Sequence, residues 1–162
     1  MGMIDIKGVA LEVQTLNPER IGQAPAMVFL HEGLGSVALW SSKEGSWPQT
    51  LCDALGCPGV VYSRPGYGLS DPIPDVRGAG RELLAQLQIE RPILIGHSDG
   101  GTIALLHASR HPVQACVVLA PHVRVENISI ASIQTAQEQY LKGDLRVRLS
   151  RFHADVDVAF WQ

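Results

Sequence analysis

The stretch that most constrains what this 162-residue chain can fold into is PILIGHSDGGTIALLHA, residues 92 to 108. A short apolar run leads into Gly-His-Ser-Asp-Gly-Gly, and a second apolar run follows. That order describes a buried strand turning sharply into a helix. The serine of the turn, Ser98, has glycines two residues away on each side, Gly96 and Gly100. Small neighbours let such a loop pack tightly and lift the hydroxyl above the strand end. Ser98 also opens the following helix, whose free N–H groups and positive dipole end favour negative charge beside it. Gly-x-Ser-x-Gly arises by chance in roughly one chain in ten of this glycine content, so its surroundings must decide its meaning.

The surroundings repeat the same layout. AMVFLHEGLGS and GVVYSRPGYGLSD are apolar runs ending in glycine-rich turns, and ACVVLAPH ends in Pro121 and His122. With the run before Ser98 these predict four buried strands. Upstream, residues 4 to 16 alternate around Lys7-Gly8 and read as a β-hairpin. Segments of helix length lie between the runs, at 37 to 55, 77 to 89 and 100 to 110. Strands alternating with helices imply right-handed crossovers, hence an α/β fold with a mostly parallel sheet and helices on both faces. Chemistry in such sheets gathers at the carboxyl ends of the strands, where HEGLGS, SRPGYGLSD, HSDGG and APHV all emerge. After Arg124 the spacing is helical, as in Ile130, Ile133, Ala136, Gln137 and Tyr140.

Composition narrows the function classes. The chain is 46% hydrophobic and 18% charged, with a formal net charge of −3. It has no cluster of Lys or Arg, so neither a nucleic acid nor an anionic membrane is an expected partner. Three cysteines, Cys52, Cys57 and Cys116, show no metal-type spacing, which predicts a reducing compartment and neither a disulfide framework nor a structural zinc site. No basic segment followed by an apolar run opens the chain, and no run of about eighteen apolar residues occurs. The expectation is a soluble cytoplasmic protein needing no metal or organic cofactor.

The nucleophile elbow Gly96-His97-Ser98-Asp99-Gly100, the HEGLGS turn and SRPGYGLSD together resemble the α/β-hydrolase fold family. The resemblance implies strands one and two in the hairpin, and strands three to six at 27 to 31, 59 to 63, 92 to 97 and 115 to 120. It divides the chain into a core, residues 1 to 124, and a partial helical cap, residues 125 to 162. It implies Ser98 as nucleophile, with the backbone N–H groups of Asp99 and Gly33 forming an oxyanion hole. Glu32, Leu34 and His122 are assigned to substrate contact. Family members resembling epoxide hydrolases and haloalkane dehalogenases carry an aspartate nucleophile here, whereas a serine points to acyl transfer. The expected substrate is therefore a small ester or amide.

Two departures qualify that expectation. The family's acid follows a seventh strand and its histidine an eighth, and neither strand is present, so the expected fold is truncated after the sixth strand and the start of the cap. A serine without a base is a weak nucleophile. His122 is the internal candidate for a base, oriented by Glu126 or Asp71, although lining a pocket or capping a strand end is the preferred reading. The second departure is Pro72 to Arg81, where the helix before the fifth strand is abbreviated.

The remaining candidates have structural readings. His31 and His97 flank turns as packing and hydrogen-bonding residues, His107 and His111 lie on or after a helix, and His153 is in the tail. The Asp99 carboxylate stabilises a helix start, Asp71 caps a turn, and Trp40, Trp47 and Trp161 are core or cap contacts. Truncation leaves the sixth strand as an apolar edge, which predicts association with a copy of the chain or with a complementing polypeptide. Two functional readings stay open: a serine hydrolase acting through a Ser98 acyl-enzyme, and a catalytically incomplete fragment serving as a binding or assembly module.

Overall fold

A computed structural model of the chain describes residues 1–72 and 78–161. Six strands form one sheet: β1 Gly2–Ile6, β2 Val9–Leu16, β3 Met27–Leu30, β4 Gly59–Tyr62, β5 Ile93–His97 and β6 Ala115–Leu119. Their order across the sheet is β1-β2-β4-β3-β5-β6. β1 with β2, and β2 with β4, pair antiparallel, while β4, β3, β5 and β6 run parallel. The hairpin and the four later strands stand where the sequence pattern puts them.

Side chains along β3, β4 and β5 alternate between two cores, as period-two geometry requires. Val28, Leu30, Val60, Tyr62 and Leu94 face one cluster, which takes in Leu83 and Leu84 of α2 (Ala79–Gln86) and Ala104 of α3 (Asp99–Ala108). Met27, Phe29, Val61 and Ile95 face the other, which includes Cys52 of α1 (Trp47–Leu55). Covering both faces with helices explains why these runs are continuously apolar.

The structure corrects three expectations. The segment from 37 to 55 is not one helix: Val37–Trp40 is a single 3₁₀ turn, Ser41–Ser42 pairs with Gly45–Ser46, and α1 begins only at Trp47. Turn-forming Ser, Lys, Glu and Gly compete with helix there, and the Ser46 hydroxyl caps α1 by accepting from the Gln49 N–H. α2 has eight residues against an expected span from 77 to 89; residues 73–77 of the abbreviated stretch lie outside the described residues. Finally, β6 is half-buried rather than buried. Cys116 and Val118 pack on the first core, but Val117 and Leu119 on the opposite face are 47% and 44% exposed. β6 is the sheet edge, as expected.

After β6 come α4 (Asn127–Lys142), α5 (Leu145–Leu149) and α6 (Val156–Trp161), helical as the spacing predicts. They hold together through stacked Tyr140 and Phe160, with ring centroids 3.8 Å apart, and through the Arg146–Asp157 ion pair. Among the described residues no helix is long and apolar enough to cross a membrane.

Candidate active site

Ser98 sits between β5 and α3 with φ 52° and ψ −118°, a conformation that costs a non-glycine residue of order 1–3 kcal/mol. Its surroundings over-determine it. The Ser98 N–H donates to the Leu119 carbonyl at 2.8 Å, and its carbonyl accepts from the Gly101 and Thr102 N–H groups at 2.9 and 3.1 Å. The flanking glycines are required by close approach. A Cβ on Gly96 would strike the Gly100 carbonyl, and one on Gly100 would strike the Leu30 carbonyl. Both obstacles are main chain, which cannot swing aside. Gly100→Ala is therefore expected to cost at least about 2 kcal/mol of stability, read as a lower urea midpoint, because overpacking here must displace a strand. An unchanged midpoint would show that β3 and α3 can separate freely.

The turn after β3 is held from behind. The Glu32 carbonyl accepts from His31 Nδ1 at 2.7 Å, from Arg64 Nη2 at 2.9 Å and from the Gly35 N–H at 3.1 Å. His31 Nε2 in turn accepts from the Arg64 N–H at 3.0 Å, which places the ring proton on Nδ1. In a trans peptide the N–H points opposite to the C=O. Pinning the Glu32 carbonyl inward thus turns the Gly33 N–H outward. Gly33 abuts the residue after Ser98, since a Cβ built on it would lie 2.8 Å from the Asp99 carboxylate. The two expected oxyanion donors share one corner of the molecule.

His122 is where the structure goes furthest beyond the preferred sequence reading. Its Nε2 lies 3.1 Å from Ser98 Oγ. The backbone of His122 is fixed by Thr102: the His122 N–H donates to Thr102 Oγ1 at 3.1 Å, and that hydroxyl donates back to the His122 carbonyl at 2.8 Å. Thr102 stands one helical turn beyond Ser98, so the start of α3 places Ser98 and the anchor of His122 on one face. Sequence reasoning missed Thr102; the i+4 spacing from Ser98 was the available signal.

The two carboxylates proposed to orient His122 lie elsewhere. Glu126 is 3.5 Å from Arg124, and the Asp71 carboxylate, expected to cap a turn, instead accepts from the Ala10 N–H of β2 at 3.0 Å. Among the described residues no carboxylate bonds to His122. Glu32 lies 3.5 Å from His97 Nδ1 beside the turn, and Leu34 is partly buried with its carbonyl engaged by His153. Trp40 and Trp47 stack on each other and edge onto Phe29; Trp40 packs against the second core, while Trp47 is 46% exposed. A cavity of about 530 Å³ opens away from Ser98, between α2, α3 and the sheet, over Val28, Leu84 and Leu94. Ser98 does not line it, so its size says nothing of the chemistry at the elbow.

A family model described as the alpha/beta hydrolase family matches residues 27–161. The chain belongs to that family. Solved structures with the same fold include a carboxylesterase of Nitrososphaera gargenis, with TM-score 0.71 and 16% identity, covering 98% of this chain and 64% of that one. The enol-lactonase of Burkholderia xenovorans LB400 gives 0.69 and 18%, covering 98% and 70%. An epoxide hydrolase of Bacillus megaterium gives 0.62 and 16%, covering 92% and 57%. The α/β-hydrolase chain thus spans about two thirds of the length of the first two. A sequence search of curated proteins finds no match.

Proposed function

We propose that this α/β-hydrolase chain carries a serine acyl-hydrolase centre acting on small carboxylic esters or related acyl compounds. The observation that carries the reading is the strained elbow that presents Ser98 Oγ 3.1 Å from an imidazole nitrogen. Ser98 Oγ attacks the substrate carbonyl carbon while His122 Nε2 takes the hydroxyl proton. The carbonyl oxygen becomes an oxyanion held by the Asp99 and Gly33 N–H groups. Collapse of this intermediate expels the alcohol, which receives the proton from His122, and leaves an acyl group on Ser98. Water then attacks the acyl-enzyme by the same steps, releasing the carboxylic acid and free Ser98. A serine nucleophile favours this acyl transfer over epoxide opening, although an epoxide hydrolase shares the fold.

Incubation with a fluorophosphonate, followed by intact mass measurement, tests the reading. The expected result is one phosphonyl adduct per chain, absent from Ser98→Ala. An adduct that persists in that variant, or no adduct on folded wild-type protein, would overturn it and leave the binding or assembly reading for this chain.

A further inference from the structure

We infer that His153, in the connection between α5 and α6, is a positioning residue for the oxyanion turn. The inference rests on the acyl-transfer reading above. His153 is 5% exposed although it lies in the helical segment that otherwise packs largely on itself. Both of its ring nitrogens are used. Nδ1 accepts from the Gly68 N–H at 2.9 Å, so the ring proton is on Nε2, which faces the Leu34 carbonyl at 3.1 Å. The neighbouring Ala154 N–H donates to the Gly68 carbonyl at 2.7 Å. Tyr67 fills the space between His153 and His31.

The consequence follows from peptide geometry. The Leu34 C=O and Gly35 N–H belong to one planar unit. His153 holds its oxygen, and the Glu32 carbonyl holds its N–H at 3.1 Å. The Glu32 carbonyl shares its own peptide unit with the Gly33 N–H, the expected oxyanion donor. Releasing the Leu34 carbonyl frees the 34–35 unit to rotate, which loosens one of the three bonds on the Glu32 oxygen. His153 therefore acts on the reacting oxygen through two linked peptide groups and never touches it.

A role confined to docking the helical segment would use only the Gly68 side of the ring. Two variants separate the roles, because an asparagine Oδ1 occupies the place of Nδ1 and a glutamine Nε2 that of the ring Nε2. His153→Asn keeps the acceptor for Gly68 and loses the donor to Leu34; His153→Gln does the reverse. The expected rate of Ser98 phosphonylation falls at least about tenfold in His153→Asn and stays within about threefold in His153→Gln, with half-saturating phosphonate unchanged in both. Hydrogen exchange at residues 33–35 rises in the Asn variant alone. Equal behaviour of the two variants would overturn the proposal, as would ring nitrogen shifts placing the wild-type proton on Nδ1. If Ser98 takes no phosphonate even in the wild type, the acyl-transfer reading fails, and the exchange comparison alone decides whether His153 positions the turn.

Discussion

Replacing His122 by alanine lowers the rate of Ser98 phosphonylation by about a hundredfold to ten-thousandfold, the range that a positioned general base contributes. The variant should fold, because the imidazole is exposed and the clamp with Thr102 uses only the backbone of residue 122. Circular dichroism and thermal unfolding would confirm this. Saturation kinetics separate a base from a pocket wall. With a base, the variant loses maximal rate while half-saturating phosphonate is unchanged. With a wall, the maximal rate holds and half-saturating phosphonate rises. Among the described residues no carboxylate is hydrogen-bonded to His122, so none of them stabilises its imidazolium as a triad acid does. A slow wild-type rate with a strong dependence on His122 is the combined expectation.

Lowering the pH from 7 to 5 is expected to remove about 2 kcal/mol of folding stability through His31 alone, at ~1.4 kcal/mol per pH unit. His31 is fully buried, and desolvation together with the nearby Arg64 charge lowers its pKa from 6.5 to about 3. The unfolded chain therefore binds a proton between these values that the folded chain refuses. The stabilisation is complete above pH 6.5 and is lost progressively as the pH falls, reaching about 5 kcal/mol near pH 3. That is a large share of the roughly 5–15 kcal/mol that holds a domain together. His153 and His107, both shifted downward by burial first, act in the same direction. Urea unfolding at pH 7 and pH 5 provides the measurement, with His31→Gln as control. The variant should be less stable at pH 7 but lose less on acidification. An identical loss in both would assign the acid sensitivity to other groups.

Protonating His31 also has a chemical meaning. Its Nε2 could no longer accept from the Arg64 N–H, and the relay from Arg64 through His31 to the Glu32 carbonyl would break. The ring that stays neutral to keep the fold stable also bonds the Glu32 carbonyl, whose peptide unit carries the Gly33 N–H proposed as an oxyanion donor.

Strand positions were legible because each is a local pattern: an apolar run closed by glycine, with both faces of β3 and β4 covered. The elbow at Ser98 was legible for the same reason, since the demand for small residues at 96 and 100 comes from contacts next to the serine and at the neighbouring strand. The start of α1 was misread because the turn chemistry of residues 41 to 46 outweighs an apolar spacing that runs through it. The exposed face of β6 was not legible at all. Cys-Val-Val-Leu has the same composition whether or not a helix covers it, and burial depends on what lies across the sheet rather than on the strand itself.

For the site, sequence alone determined which chemistry the chain could offer: a serine at a strained turn, glycine-rich loops at the strand ends, and a histidine after the sixth strand. Only the tertiary structure decided how they combine. The Thr102 clamp carries His122 to Ser98 across a separation of 24 residues, and His153 reaches Leu34 across 119. Such pairings are set by sheet order and by where a helix begins, and no local spacing along the chain encodes a distance between loops that meet only when the strands align.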